Sequence, residues 1–153
     1  MGAICVHRLS AKDQALIRDT MDRFNRSMDT GDKSEFLSVF SKDGIRESPS
    51  GWGTIQGHDE LGKAFDIYFS SPKYASFRGG QHRVTSLIYE KVEPGHVETW
   101  STYIFVIPSP DGPKIAAMGT YRDAFVKEDN RWLFARRVNE ITQNIIPGQL
   151  PSV

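Results

Sequence analysis

Ile17, Met21, Phe24 and Met28 recur at three- and four-residue intervals among polar neighbours, the spacing of a single apolar helical face. Ser10 stands where its hydroxyl can accept from the free amides of a first turn, so the pattern predicts an amphipathic helix from about Lys12 to Met28. Asp29-Thr30-Gly31-Asp32 ends that helix with turn residues. Phe36, Leu37, Val39 and Phe40 then predict a short second helix packed behind the first. The stretch from Ser41 to Gly53, rich in Ser, Gly and Asp, leaves room for a short strand near Ile45 and a loop carrying Trp52. Gly57 introduces a third helix, His58 to about Phe69, with Leu61, Ala64, Phe65 and Tyr68 on one side.

From Gln81 the helical spacing gives way to β-branched and aromatic runs separated by turn residues, as antiparallel strands joined by hairpins require. Three or four long strands are expected: His82 to Val92, Val97 to Ile107, Ile115 to Lys127 and Trp132 to Ile141. Two or three helices followed by a long meander is an α+β pattern, in which the sheet must curl around the helices to bury its inner face. A conical hollow, walled mainly by apolar side chains, is the natural ligand site of such a shape. The expectation is one domain over residues 1–153, with its core at about 10–142 and a C-terminal tail at 143–153.

Residues two apart on a strand share a face. With His82 inward, Val84 and Ser86 follow it; the next strands offer Thr99, Ser101, Tyr103 and Phe105, then Gly119, Tyr121 and Asp123, then Ala135, Arg137 and Asn139. Trp100, Ile104 and Val106 fall on the opposite face, as do Trp132 and Arg136. An apolar outer face of that kind suggests a homodimer, or a homotrimer.

Charge narrows the partners. Lys plus Arg and Asp plus Glu are 19 each, so no broad field attracts nucleic acid or an anionic membrane. Cys5 is the single cysteine, which removes intrachain disulfides and cysteine-based zinc sites. No segment has the roughly 20 apolar residues of a membrane helix, and the expected location is cytoplasmic. The histidines show no His-X-X-His or His-Glu-X-X-His spacing, and the glycines no dinucleotide fingerprint, so chemistry without metal or cofactor is expected. His58, beside Asp59 and Glu60 at a helix start, and His96, in a hairpin turn, read as structural or exposed; His7 also takes the bland reading.

The helix ending in MDTGDKSEFLSVFSKDG, the IQGHDEL segment, the QHRV strand start and MGTYRDAFVKEDNRWLFARRV, in that order and spacing, resemble the SnoaL-like branch of the nuclear transport factor 2-like superfamily. The resemblance covers roughly Asp13 to Glu140 and implies a cone-shaped α+β fold, N-terminal helices packed in a strongly curved antiparallel sheet. The superfamily includes polyketide cyclases, scytalone dehydratase, a dehydrochlorinase, ketosteroid isomerase, lyases of lignin-derived aromatics and non-catalytic binding domains, so the fold alone names no reaction.

In the dehydratase and dehydrochlorinase members an Asp at the end of the first long helix holds a His at the start of a strand. Asp29 and His82 fall on those positions. A carboxylate bonded to one imidazole nitrogen sets the tautomer and leaves the other nitrogen to move a proton. Asp-X-Gly-Asp is equally good helix-ending chemistry, and a His at a strand start is often satisfied by backbone; the pair weighs more than either member. Tyr121 and Arg137 join them as catalytic candidates, one as a proton or hydrogen-bond donor and the other as a stabiliser of developing negative charge. Tyr121 is alternatively a plain wall residue, and Arg137 a structural partner of Asp123. Phe24, Trp52, Tyr68, Ser101, Tyr103, Phe105 and Asn139 are the substrate-binding candidates. Phe65, Phe69 and Met118 are possible additions to an aromatic surface, although aromatic residues at helical spacing are more often core. Phe24 stands where the dehydrochlorinase-like members carry a basic residue, which argues against their substrate class.

The reading implied is a cofactor-independent lyase of dehydratase type acting on a small oxygenated, aromatic or polycyclic molecule. The alternatives are an isomerase or aldol cyclase, and a non-catalytic ligand-binding or assembly domain.

Overall fold

A computed structural model describes residues 8–49 and 51–144. The chain opens with helix α1 (Ala11–Thr30), capped by Ser10, whose Oγ accepts from the Asp13 amide at 3.0 Å. Gly31 closes it at φ +78°, a left-handed conformation that suits glycine, and its N–H donates to the Ser27 carbonyl. Asp32 caps the short α2 (Lys33–Ser38) by accepting from the Glu35 amide. Phe40 belongs to strand β1 (Phe40–Ser48) rather than to the second helix, and this strand is much longer than a short run near Ile45. Next come β2 (Gly53–Gln56), α3 (His58–Ser70) and α4 (Pro72–Ala75), of which the sequence pattern marks only α3. The meander of β3 (Gln81–Glu93), β4 (His96–Ile107), β5 (Lys114–Glu128) and β6 (Arg131–Asn144) lies where the β-branched runs predict it. Residues 143 and 144 therefore continue a strand, while the rest of the expected tail, together with Cys5 and His7, lies outside the described residues.

Among the described residues six strands form one sheet in the order β2-β1-β6-β5-β4-β3. All neighbouring strands run antiparallel except β1 beside β6, a parallel pair that brings the helical half of the chain back onto the meander. The hairpin between β5 and β6 turns on Asp129 and Asn130 at φ +46° and +61°, residue types that tolerate the left-handed region.

The core lies between α1 and the concave face. Ile17, Met21, Phe24 and Met28 are buried against Phe36, Phe40, Phe65, Phe125 and Phe134, and each fully buried side chain of this size contributes about 1.5–3 kcal/mol. Phe24 meets Phe36, Phe40 and Phe134 with ring centroids 5.7, 6.0 and 5.8 Å away.

β-bulges correct the simple alternation in β3 and β6. In β3, Val84 pairs with Tyr103 but Ser86 pairs with Thr102, so Thr85 is an extra residue. Beyond it the phase flips, so Ser86 is exposed and Leu87 and Tyr89 pack on the core, and a second extra residue, Glu90, flips it back and brings Val92 inward. In β6, Arg136 pairs with Ala124 but Phe134 pairs with Phe125, leaving Ala135 as the bulge. Ala135 is thus not the inward residue; Phe134 is, and Trp132 points in with it instead of outward, 3% exposed. The indole Nε1–H donates to Asp13 Oδ1 at 2.8 Å, where Lys127 also donates at 2.8 Å. These donors, with Ser10, hold the Asp13 carboxyl at about 2, below its ordinary value. Arg136 does face outward and pairs with Glu47 at 2.7 Å. The convex face carries exposed Ile88, Ile115 and Met118, so Met118 lies away from the hollow.

Candidate active site

Asp29 sits in the last turn of α1 and His82 at the start of β3, and packing of the helix on that edge strand brings them together. His82 Nδ1 lies 2.6 Å from Asp29 Oδ1, and the His82 backbone N–H donates to the same carboxylate at 3.0 and 3.1 Å. A carboxylate in a last helical turn faces the partial negative end of the helix, a cost of about 0.3–1 kcal/mol that these two donors offset. Because Asp29 accepts, Nδ1 carries the hydrogen, and in the neutral ring Nε2 keeps its lone pair. Among the described residues Nε2 has no hydrogen-bond partner. Phe105 stacks on the imidazole at 4.3 Å between centroids, and Tyr103 lies at 6.3 Å.

His82 stands between two concavities. On one side an open groove of about 620 Å³ is lined by polar and charged groups, among them Asp29, Arg18, Arg26 and Arg83. On the other a cavity of about 450 Å³ is walled by Met28, Trp52, Ile55, Tyr68, Phe77, Tyr103, Phe105 and Ile141, with Arg46, Ser48 and Asn139 as polar points. Of the sequence candidates, His82, Trp52, Tyr68, Tyr103, Phe105 and Asn139 therefore share this second wall. Trp52 and Tyr68 pack at 5.1 Å, making part of it a continuous aromatic surface.

Four candidates lie behind the wall. Tyr121 is 2% exposed and stacks beneath Tyr103 at 4.3 Å; Arg137 and Ser101 are wholly buried; Phe24 is in the core. Phe65 is also core, whereas Phe69 stacks on it at 4.2 Å. Arg137 is enclosed by rings, its guanidinium carbon 3.6 Å from the Tyr121 centroid, 4.3 Å from Phe24 and 4.7 Å from Phe134. Its Nη1 approaches Asp123 Oδ2 at 3.5 Å, longer than a hydrogen bond. Burial pushes the Asp123 carboxyl up to about 7, with Arg137 pulling against it. Burial likewise raises Tyr103 and takes Tyr68 to about 12, so both stay neutral phenols.

Arg46, which no sequence pattern marked, joins the cavity wall. It is 6% exposed on β1, beside Arg137 in the parallel register, and its guanidinium carbon lies 4.0 Å from the Trp52 ring centroid. The remaining histidines are elsewhere: His58 Nε2 bonds the Phe40 carbonyl at 3.0 Å, and His96 bonds Glu98 at 3.0 Å. Among the described residues no group of three His, Cys, Asp or Glu side chains is placed to hold a metal ion, and no helix is long and apolar enough to cross a membrane.

Gly80 admits the Phe105 ring. A Cβ there would penetrate that ring and also crowd the Phe77 carbonyl at 2.8 Å. Gly80→Ala is expected to displace Phe105 and tilt the imidazole stacked on it, so that a reaction using His82 for proton transfer would slow by about tenfold to a hundredfold, since about 1 Å of misplacement carries that penalty. Steady-state kinetics beside a melting curve checks it; unchanged kcat in the folded variant would show that Phe105 does not position His82.

Comparison with solved structures places this geometry among known folds. A Mycobacterium tuberculosis protein of unknown function, solved as an aspartate-to-asparagine variant, superposes with a TM-score of 0.72 at 25% identity, over 87% of this chain and 73% of its own. A Nostoc punctiforme protein of unknown function with a cystatin-like fold gives 0.75 at 24% identity, covering 94% and 98%. A candidate scytalone dehydratase from Novosphingobium aromaticivorans gives 0.71 at 19% identity, covering 91% and 92%. No curated protein sequence matches significantly. The model of the SnoaL-like domain matches residues 10–138, nearly the whole helical layer and sheet, and the chain belongs to the SnoaL-like family.

Proposed function

We propose that the protein is a cofactor-independent lyase that eliminates water, or a comparable leaving group, from a small oxygenated aromatic or polycyclic molecule. The SnoaL-like family includes dehydratases, cyclases and isomerases and is commonly enzymatic. The observation that carries the finer reading is the 2.6 Å bond from His82 Nδ1 to Asp29, with Nε2 unpartnered among the described residues on a ring that lines a largely apolar cavity.

In this reading Nε2 removes a proton from substrate carbon, and the electrons of the broken C–H bond form the C=C bond as the neighbouring C–O bond breaks. The imidazolium, held by Asp29, then returns its proton to the departing hydroxyl, which leaves as water. Tyr103, kept neutral by burial, donates a hydrogen bond to a substrate oxygen that gains negative charge. Trp52, Tyr68 and Phe105 supply flat apolar walls for a ring.

The test is a mass-resolved screen of aromatic alcohols and diols with the purified protein. The expected product is lighter than its substrate by one water. A product of equal mass would instead support an isomerase, which shares the proton abstraction, and binding without turnover across the set would favour a non-catalytic ligand domain.

A further inference from the structure

Among the described residues Arg46 is the one charged side chain on the cavity wall apart from the titratable His82, and no Asp or Glu lines that wall. A guanidinium taken out of water needs a counter-charge or a full set of acceptors. Arg46 has neither: among the described residues its buried Nε and Nη1 are without hydrogen-bond partners. The nearest acid on its own strand, Glu47, projects to the other face and pairs with Arg136. In the parallel register its neighbour on β6 is Arg137, a second buried cation, whose own carboxylate partner is Asp123. What Arg46 does have is aromatic cover, Trp52 at 4.0 Å and Phe24 at 5.9 Å from the guanidinium carbon. Burial draws its pKa down only to about 10, with Arg137 adding repulsion, so it remains a cation at neutral pH.

Asn139 is a second polar group on the same wall: its amide lies beside the Tyr103 hydroxyl, and among the described residues its buried Oδ1 has no hydrogen-bond partner. An amide turned by half a revolution presents its NH₂ instead, which would make Asn139 a second donor on the wall that Arg46 lines.

We propose that Arg46 is the anion anchor of the cavity, and that the molecule bound there carries a carboxylate on its ring system, received by the guanidinium while the rest of the ring lies against the aromatic wall that includes His82. The planar fork of a guanidinium matches a carboxylate, and a dry aromatic surround makes such a pair far stronger than in water. This deepens the lyase reading and rests on it for the claim that the anchored molecule is a substrate; the anchor itself is tested by binding alone.

The experiment compares 2-naphthoate, 2-naphthamide and 2-naphthol, three ligands of nearly one shape with an anionic, a neutral amide and a neutral hydroxyl head, titrated calorimetrically near neutral pH. The expected result is that the wild-type protein binds naphthoate about tenfold or more tighter than either neutral ligand. Arg46→Gln should remove the preference, with naphthamide still bound within a few-fold of its wild-type affinity, which also certifies an intact cavity. His82→Ala should keep the preference, so loss of turnover with retained discrimination separates the anchor from the proton chemistry. A measurement on the wild type avoids any folding penalty of the variant: naphthoate should shift the Arg46 Nε–H resonance and naphthamide should not. Equal affinities for the three ligands, a preference that survives Arg46→Gln, or an Arg46 resonance indifferent to naphthoate would each overturn the proposal. Turnover of an uncharged substrate with naphthoate discrimination absent would sink the anchor while leaving the lyase standing.

Discussion

His82→Ala is expected to lower turnover by about two to four orders of magnitude, the usual worth of a positioned general base. Asp29→Asn should cost a similar factor for a different reason. Its amide NH₂ can donate to Nδ1, which moves the imidazole hydrogen to Nε2 and removes the lone pair from the atom to which the lyase reading gives the proton transfer. The amide oxygen still accepts from the His82 backbone N–H, now bonded to the carboxylate at 3.0 Å, so the strand start should stay in place. The two residues form one unit, and the double variant should be little worse than His82→Ala alone. Kinetics on whichever compound the mass screen identifies, with a melting curve for each variant, makes the comparison. Near wild-type turnover in both single variants would reject the mechanism.

The largest effect on stability is expected from Arg137→Ala. The side chain is fully buried and enclosed by Tyr121, Phe24 and Phe134, with Asp123 at 3.5 Å. Truncating it leaves a void and an unpaired carboxyl, together about 3–5 kcal/mol. The loss should also depend on pH in a definite direction. Burial already raises the folded Asp123 from 3.8 to about 7, so its contribution is fully present below pH 3.8 and is lost as pH rises through about 7. Arg137 is the group opposing that rise. Without it the carboxyl moves higher still, and the decline, approaching about 1.4 kcal/mol per pH unit, continues past the point where the wild type levels off. Urea unfolding at about pH 5 and about pH 8.5 should therefore show a wider gap between variant and wild type at the higher pH. A constant gap would mean that Asp123 and Arg137 are not electrostatically coupled.

Much of the architecture is legible along the chain because it rests on local periodicity. The 3.6-residue spacing of Ile17, Met21, Phe24 and Met28, the Ser10 cap and the Gly31 stop define α1, and the β-branched runs after Gln81 define the meander. Each of Asp29 and His82 ends or begins an element that the pattern marks, but it is the resemblance to the SnoaL-like branch that singles them out as a pair. The interior is less legible wherever one residue resets the phase. The bulges at Thr85 and Ala135 each invert the faces of the strand residues on one side of them, which is why Ser86 faces solvent and Trp132 does not.

The order of elements, the turns and the α+β class come from the amino-acid sequence, since each depends on neighbours within a few positions, whereas the pairing of Asp29 with His82, 53 residues apart, is implied there only by the family resemblance. Which side chains share a wall was decided only by the tertiary structure. Tyr121, Arg137 and Ser101 retreat behind Tyr103, and Arg46 comes forward from a polar stretch with no apolar rhythm to announce it. The physical reason is that burial of a charged or aromatic group depends on the sheet's curvature and on the parallel join of β1 to β6, contacts between segments about 90 residues apart that local spacing does not encode.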